Sequence, residues 1–449
     1  MTARLHRQTA ASALISAAVA ASVLTILVAG FVTYMANEYL LNFHSHAWTQ
    51  ALHLSEAAIE TGFAEFNYQY FQGGSGFQSS RGWSGSGGTY TKSVTDFTDS
   101  TGKVLGSFTV TVSGVGSSSP AIQGVGTASL NRGPATISRA VRVGLATSSR
   151  FPAGITSKNR IDLNGNNVYS DSYDSSDPAK STNGGYDSTK RQPNGDIASD
   201  EVLIDSVDIG NAAVYGKVYT GSAGTVEIGA NGSVGNTFVN ADRATTVTQG
   251  ETAGYIRHDF NVDIPDSTLP SDATGWSSLG SINNNTAING GDWRVSKVDL
   301  AGSDTLTIQG NVRLYITGDT SLSGLAQIII SSNSTLTVYA AGSMSIHGNG
   351  VQNSPGFPTS NQFFGLSSST AWDIAGNGNW IGTVYAPAAA LTIGGNGTID
   401  GAIVAKSITL TGNANFHYDE SLKTAGGAVG YVVSSWQELR NVDGVWAAN

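Results

Sequence analysis

The feature that most constrains this 449-residue sequence is an uncharged stretch near its start. Residues 10–35 contain no charged residue and no proline, and Arg4, His6 and Arg7 precede them. As a helix they would span roughly 39 Å at 1.5 Å per residue, more than the roughly 30 Å hydrocarbon core of a bilayer. We therefore predict a single-pass inner-membrane helix at residues 10–35 that contacts the lipid bilayer. Residues 1–9 would form a basic cytoplasmic leader, and the bulk of the chain would be periplasmic or extracellular.

The alternative is a cleaved secretory signal, whose apolar core is only about 7–15 residues long. The apolar stretch here is about twice that length and continues into a helical pattern without a break. Length therefore favours a retained helix.

The helical pattern continues to residue 70 with no proline and a single glycine, Gly62, after residue 37. Apolar residues recur at three- and four-residue steps, the spacing of one helix face. One set is Leu40, Phe43, Ala47, Ala51, Leu54 and Ala58, and a second is Leu41, Trp48, Leu52, Ile59, Phe63 and Phe66. We predict one helix over residues 10–70, on the order of 90 Å long. Its outer half must pack on the downstream chain or on neighbouring copies.

Composition favours a mainly β chain beyond this helix. Charged residues make up 12% of the sequence, and 56 glycines provide many turn positions. The net charge of −10 argues against nucleic acid as a partner, because binding phosphates needs clustered Lys and Arg. The absence of cysteine excludes disulfides and thiol chemistry.

Residues 71–88 are rich in Gly and Ser and read as a flexible loop. Residues 89–150 then read as an antiparallel β head. Its alternating segments are separated by turn sequences and lie at residues 89–97, 103–113, 121–130 and 135–146.

Residues 151–425 have a different pattern, in which short alternating strands are separated by Gly-Asn turns. Gly-Asn pairs start at positions 376, 395 and 412, so their spacing is nearly constant. A repeat of roughly 20 residues is typical of a solenoid, and Gly and Asn suit left-handed backbone at its corners. We predict a right- or left-handed parallel β-helix here, with residues 426–449 as a C-terminal cap over its last coil.

The N-terminal segments resemble type IV pilins and pseudopilins. RQTAASALISA (residues 7–17) and ALHLSEAAIETGFAEF (residues 51–66) are similar to the start and the post-helix segment of PilX-like minor pilins. The resemblance implies partnership with other pilin-like subunits through the helix. Thr9 stands where prepilin peptidase needs Gly, and no Glu lies between residues 10 and 37. Cleavage and polymerisation therefore stay open.

The C-terminal part carries two further resemblances. Residues 386–422, with GAIVAKSITLTGNA and FHYDESL, are similar to a Gly-rich β-helical domain of unknown function in PilX-type and other bacterial envelope proteins. Residues 162–196 resemble a segment of a pilin-like family from Verrucomicrobia-type genomes. These resemblances imply an architecture and a location, not a reaction.

An acidic block between the strands is the best candidate for metal binding. Asp171, Asp174 and Asp177 provide oxygen ligands of the kind that a structural Ca²⁺ prefers, although the EF-hand order is missing. Otherwise no cofactor is expected. The alternative is that these aspartates, with Asp187 and Asp196, cap turns through side-chain to backbone hydrogen bonds, which is their more common role.

Two further functions remain open. A β-helical polysaccharide lyase or glycosidase would need convergent carboxylates, but the acidic residues do not recur as pairs at coil spacing. Asp419 and Glu420 would face opposite sides of a strand, and His417 is more often a hydrogen-bonded structural histidine. An adhesin would bind extracellular polysaccharide through exposed aromatics such as Trp276, Trp293, Trp372 and Trp380.

The sequence therefore favours a non-enzymatic, membrane-anchored, pilin-like structural protein of the cell envelope.

Overall fold

The computed structural model describes residues 2–71, 76–130, 135–165, 168–237, 250–376, 378–395, 397–413, 415–425 and 427–448. They form a long N-terminal helix followed by a mainly β chain, as the sequence predicts. The helices are α1 (Thr2–Phe71) and α2 (Leu422–Ala425), with short 3-10 helices at Ser79–Arg81, Ser271–Gly275 and Pro358–Ser360. The predicted leader, residues 1–9, is thus helical from Thr2 onwards.

The strands, in chain order, are β1 (Ser84–Ser86), β2 (Thr89–Thr98), β3 (Val104–Ser113), β4 (Ala121–Ser129), β5 (Thr136–Ser149), β6 (Ile155–Ser157), β7 (Ile161–Leu163), β8 (Tyr169–Tyr173), β9 (Ile197–Ser199), β10 (Val207–Gly210), β11 (Ala213–Tyr215), β12 (Val218–Tyr219), β13 (Val226–Ile228), β14 (Ser233–Gly235), β15 (Gly250–Glu251), β16 (Ile256–Arg257), β17 (Ser277–Ile282), β18 (Thr286–Leu300), β19 (Thr305–Ile316), β20 (Thr320–Leu322), β21 (Gln327–Ile330), β22 (Thr335–Ala340), β23 (Met344–Ile346), β24 (Gly350–Asn353), β25 (Asn361–Gly365), β26 (Ala371–Gly376), β27 (Trp380–Gly395), β28 (Ile399–Leu410), β29 (Phe416–Asp419), β30 (Ala428–Val442) and β31 (Val445–Ala448).

The chain divides into two compact units. Unit 1 comprises Met1–Thr147 and Gly430–Asn449, and unit 2 comprises Ser148–Val429. Within the described residues, unit 1 holds a seven-stranded sheet in the order β1-β2-β3-β4-β5-β30-β31. The four strands predicted for the head are β2 to β5, and they pair in antiparallel fashion.

The outer half of α1 packs on this sheet through small side chains. Ala47, Ala51, Leu54 and Ala58 are each at most 4% exposed. The close approach needs a glycine on β4, because a methyl group added at Gly126 would lie 2.2 Å from the carbonyl oxygen of Ala51. The predicted partner of this helix half is therefore its own downstream sheet.

The segment predicted as a flexible loop, residues 71–88, is anchored where the structure describes it. Phe77 and Trp83 are buried, and their rings lie 5.0 Å apart between centroids. Glu65 of α1 binds Arg81 of the loop at 2.7 Å between Oε1 and Nε. Residues 72–75 of this segment lie outside the described residues, and beyond them two buried aromatic rings, a 3-10 helix and β1 give the segment a defined structure.

Unit 2 contains parallel ladders in which paired residues recur at intervals of 17 to 28 residues of sequence. Successive Cα partners define a column of buried side chains, one for each repeat. The column runs through Val298, Thr320, Met344, Trp372, Leu391 and Ile408. We call each repeat a layer. Every layer adds apolar side chains to one continuous core.

The layers do not stack in chain order. β28 pairs with β7, so that Ile408 lies opposite Ile161, and the column continues to Val207 and Val226. β29 likewise pairs with β8. The last layer of unit 2 therefore rests on its first layer. We call the contact of β28 and β29 with β6, β7 and β8 the seam.

The glycines of two predicted Gly-Asn pairs end strands, Gly376 at the end of β26 and Gly395 at the end of β27, whereas Asn377 and Asn396 lie outside the described residues. Gly395 has a φ of 99°, and a methyl group there would lie 2.0 Å from the carbonyl oxygen of Gly376 in the neighbouring layer. Both the left-handed backbone and the close stacking demand glycine.

The segment predicted to cap the last layer, residues 426–449, instead contributes β30 and β31 to the sheet of unit 1. Glu438 of β30 binds Arg139 of β5 at 2.8 Å between Oε1 and Nε, and Leu439 is buried. This stretch leaves the repeat pattern because it belongs to the other unit.

Candidate functional site

The first half of α1 presents apolar side chains on every side. All residues from 15 to 35 are exposed. The exposed large apolar side chains include Ile15, Val19, Val23, Leu24, Ile26, Leu27, Val28, Phe31, Val32 and Met35. A helix that is apolar all round requires an apolar environment. By length and composition, the segment Ile15–Tyr70 is the one helix able to cross a membrane among the residues described.

The polar side chains of this segment are satisfied within the helix. Ser22, Thr25 and Thr33 each donate a hydrogen bond of 2.8 Å to the carbonyl oxygen four residues earlier. Residues 15–35 would span about 31 Å, which matches a hydrocarbon core of roughly 30 Å. The segment thus meets both the length and the hydrogen-bonding requirements of a membrane span.

A group of ionisable side chains crosses the seam in unit 2, and all but the half-buried Asp400 are buried. Asp400, His417 and Asp171 are successive Cα partners on β28, β29 and β8. Asp171 and His417 are almost fully buried, and His417 Nδ1 lies 2.5 Å from Asp171 Oδ1. Asp419 follows two residues after His417, on the same face of β29, and is also buried. We call Asp171, Asp400, His417 and Asp419 the seam cluster.

The loop of residues 174–195 covers the seam cluster. The ring of Tyr186 stacks on that of His417 with 3.5 Å between centroids, and the Tyr186 hydroxyl donates to Asp171 Oδ2 at 2.8 Å. Arg191 Nη1 lies 3.7 Å from the same carboxylate oxygen. Asp171 is therefore held by three side chains, two of them from the loop.

The same loop is tied to the end of β29. The Ser175 amide donates to Asp419 Oδ1 at 3.0 Å, and Asn194 Nδ2 donates to Glu420 Oε1 at 2.8 Å. These bonds connect the first layer of unit 2 to its last layer.

The seam cluster is short of positive charge. Burial raises the pKa of Asp400 to about 6; the carboxylates of Asp171 and Asp419 also raise it, whereas His417 lowers it. Burial also raises the pKa of Asp419, although hydrogen bonds from Ser175 oppose this shift. Asp400 Oδ1 and Asp419 Oδ2 are buried and accept no hydrogen bond from the described part of the chain. The side chains of Asp171 and Asp419 are fully buried, whereas Asp400 is half-buried.

The three aspartates predicted as calcium ligands perform separate tasks. Asp171 belongs to the seam cluster, whereas Asp174 Oδ1 accepts from the Ser176 amide at 3.0 Å and Asp177 Oδ1 from the Ala179 amide at 2.9 Å. The last two cap turns, as the alternative interpretation predicts. In the described ranges, no group of three or more His, Asp or Glu side chains is arranged to hold a metal ion. The calcium site stays a prediction from sequence.

The tryptophans proposed for sugar stacking do not form an exposed row. Trp276, Trp372 and Trp380 are at most 7% exposed, and Trp293 is half-buried. Sequence reasoning missed a different aromatic column, built from successive Cα partners on β19, β22, β25 and β27. Its members are Tyr315, Tyr339, Phe364 and Tyr385.

This column had a signal in the sequence, because each aromatic residue is the middle residue of a short, largely apolar triplet: LYI, VYA, FFG and VYA. The Tyr385 hydroxyl donates to the carbonyl oxygen of Pro265 at 2.7 Å, and the Arg150 guanidinium lies 5.0 Å from the ring centroid of Phe364. Part of the column is therefore occupied by contacts within unit 2.

The seam cluster also had a partial signal. His417, Asp419 and Glu420 lie together in the FHYDESL segment, but Asp171 lies 246 residues before His417. Nothing local in the sequence pairs them.

Comparisons with known proteins give limited further information. Residues 240–425 match a family described as a domain of unknown function (DUF7305). The match covers less than half of the chain, and it includes β28 and β29 but not β6, β7 and β8.

No curated protein matches the chain. Among solved structures, the crystal structure of the competence-associated pilin ComZ from Thermus thermophilus is similar at 13% sequence identity, over 87% of this chain and 97% of that chain. The TM-score of 0.22 is too low for this likeness to support a fold or a function.

Proposed function

We propose that this chain is a non-enzymatic, membrane-anchored, pilin-like structural protein of the cell envelope. The observation that carries the proposal is the division of α1 into two halves. Residues 15–35 are uncharged and exposed on all sides, whereas Ala47, Ala51 and Leu54 are buried against the sheet of unit 1. One continuous helix thus offers an apolar anchor and carries a folded β unit at its outer end.

The proposed location is the inner membrane, with the bulk of the chain periplasmic or extracellular. The basic residues Arg4 and Arg7 before the apolar segment support a cytoplasmic N-terminus. The resemblance of residues 7–17 and 51–66 to PilX-like minor pilins supports the more specific role of a minor pilin or pseudopilin.

We further propose that unit 2 is a parallel β-helix displayed by this anchor. Its support is the parallel pairing at intervals of 17 to 28 residues, with one buried side chain of the column for each layer. A stack of this kind is rigid and presents long, regular faces. The largely buried seam cluster and the mostly buried tryptophans lend no support to a lyase or to an adhesin.

The absence of cysteine allows a direct topology test. The Ser100→Cys variant, at an exposed turn of unit 1, should react with a membrane-impermeant maleimide in spheroplasts. The Thr2→Cys variant should react only after permeabilisation. Protection of Ser100→Cys in intact spheroplasts would contradict the proposed orientation.

The anchor is tested by adding charge to it. Leu24→Arg with Leu27→Arg should remove the chain from the membrane fraction, since each Arg at the centre of a span costs about 2.5–3.5 kcal/mol. The matched control is Ser93→Arg with Thr95→Arg on exposed positions of unit 1, which should stay in the membrane fraction. If both double variants are found in the membrane fraction to the same extent, residues 15–35 are not the anchor.

N-terminal sequencing of the mature protein separates the remaining alternatives. A start at Ala10 would support pilin-type processing. A start well inside residues 15–35 would indicate ordinary secretion and would refute a retained anchor.

A further inference from the structure

We propose that the loop of residues 174–195 is a proton-controlled clasp, which holds the seam closed when Asp400 is neutral and loosens when Asp400 becomes charged. The proposal concerns unit 2 alone and is independent of membrane anchoring.

The seam is the place where a clasp is needed. It joins β8 to β29, two strands that no short connection holds together. The matched domain of unknown function ends at residue 425 and includes β29, whereas β8 lies outside it. The first layer therefore lies outside the matched residues, and the side-chain contacts of the loop add to the backbone pairing of β6, β7 and β8 with β28 and β29.

The loop makes these contacts from one side of the seam to the other. Besides the bonds of Ser175 and Asn194 to Asp419 and Glu420, Ser172 Oγ at the end of β8 donates to Glu420 Oε1 at 2.7 Å. Each bond joins a group in residues 172–194 to a carboxylate at or just after the end of β29. Together with the contacts of Tyr186 and Arg191 with Asp171, these bonds hold the loop against the seam.

The positively charged side chains near the seam pair with carboxylates other than that of Asp400. Lys180 Nζ lies 3.9 Å from Glu420 and 4.0 Å from Asp174, and Arg191 pairs with Asp171. The titratable and charged groups around the cluster are Tyr169, Asp171 and Tyr173 on β8, Asp174, Lys180, Tyr186 and Arg191 in the loop, Asp196 after it, His417, Tyr418 and Asp419 on β29, Glu420, and Lys423 on α2.

The direction of the pH dependence follows from the raised pKa of Asp400. Its pKa rises from 3.8 to about 6 because burial penalises the charged form. Between pH 3.8 and about pH 6 the closed seam therefore binds more protons than an open seam. The stability of the closed seam falls as the pH rises through this range. Above pH 6 the charged carboxylate, with its unpartnered Oδ1, opposes closure.

Hydrogen exchange of the full chain in detergent micelles tests the clasp. The amides of Ser175 and Asn194 both donate to seam acceptors. After correction for intrinsic exchange, their protection should fall from pH 4 to pH 8 by on the order of tenfold to a hundredfold, which corresponds to one to two pKa units. Asp400→Asn, which cannot ionise, should keep its protection at pH 8.

The matched control is Asp373→Asn, in an exposed Asp–His pair with His347 on the same sheet. This variant should behave like the wild type. The proposal fails if wild-type protection is equal at both pH values, or if Asp400→Asn loses protection as the wild type does.

A variant with a disulfide across the seam tests the clasp even if Asp400→Asn does not fold. Ser175 Oγ and Ser421 Oγ lie 2.9 Å apart across the seam, and no cysteine interferes with a new pair. Oxidised Ser175→Cys/Ser421→Cys should show protection independent of pH, and a reductant should restore the pH dependence. Persistent pH dependence in the locked form would place the proton-sensitive opening elsewhere.

Discussion

At the scale of single residues, backbone contacts decide which positions of the fold accept no side chain. Gly126 and Gly124 on β4 lie against the backbone of α1, where a methyl group would approach carbonyl oxygens at 2.2 and 2.3 Å. Side chains can repack, but here the obstructing atoms belong to the backbone. The helix would have to move away from the sheet.

We therefore expect Gly126→Ala to destabilise unit 1 by at least about 1–3 kcal/mol, the usual cost of overpacking. Thermal unfolding of the full chain in micelles, followed by circular dichroism in the β region, measures the effect. The control is Gly30→Ala, where no atom lies within 4 Å of the new methyl group. A neutral result for Gly126→Ala would show that α1 does not approach the sheet this closely.

The need for glycine can be predicted from the sequence at some of these positions but not at others. The Gly-Asn pairs that start at 376, 395 and 412 are spaced like Trp372, Leu391 and Ile408 in the column, so the need for Gly376 and Gly395 can be predicted from the sequence. Gly126 lies inside an alternating strand, where nothing local indicates that a helix crosses above it. The seam cluster is hidden for the same reason, because Asp171 and His417 meet only after the layers have stacked.

At the scale of elements, α1 shows how one regular helix serves two environments. Its pattern predicts a continuous helix correctly, but burial begins only at Ala47, and Leu40, Leu41 and Trp48 stay exposed. Periodicity gives the face of a helix but does not show where along its length a partner begins.

The end of α1 is fastened to the following segment by Glu65. Burial alone would raise the pKa of this carboxyl, but the hydrogen bonds from Arg81 and from the Phe77 amide outweigh burial and lower it below 4.5. Its stabilising contribution is therefore complete above pH 4.5 and is lost as the pH falls through the lower folded-state value.

Glu65→Gln should release this fastening and cost about 1–3 kcal/mol, because it weakens several bonds to a buried carboxylate. Hydrogen exchange at the Phe77 amide, which donates to Glu65 Oε1 at 3.1 Å, should become faster above pH 5 and approach the wild-type rate in acid. Glu56→Gln is the matched control on the same helix, since Glu56 forms an exposed pair with His53 worth about 0–1 kcal/mol. Unchanged hydrogen exchange at the Phe77 amide in Glu65→Gln would show that the Glu65 carboxylate does not fasten this segment.

At the scale of the whole molecule, unit 2 is inserted in the chain between two strands of unit 1. β5 precedes it and β30 follows it, and the two strands are neighbours in one sheet. The sequence predicted a solenoid followed by its cap, because the last residues come after the repeats. The return of the chain to unit 1 is revealed only by the pairing of β5 with β30, which come before and after unit 2 in the sequence. Pairing between such distant strands leaves no local pattern in the sequence.

The insertion leads to a prediction about autonomy. Both ends of unit 2 lie together, since the Arg150 amide donates to the carbonyl oxygen of Gly427 at 2.9 Å. Insertions with adjacent ends are the kind that can be removed without breaking the host fold. Joining Thr147 to Gly430 through a short Gly-Ser linker should therefore leave the seven-stranded sheet intact, and residues 148–429 should fold as a separate protein.

Each product is measured by thermal unfolding and by hydrogen exchange. The amides of β5 and β30 should stay protected in the joined unit 1, and isolated unit 2 should unfold cooperatively. The control is an internal deletion of residues 277–300 from unit 2, which removes β17 and β18 and should abolish that transition because each layer rests on its neighbours. Loss of protection in β5 and β30 after excision would mean that the sheet of unit 1 depends on unit 2, in which case the two units would have to fold as one.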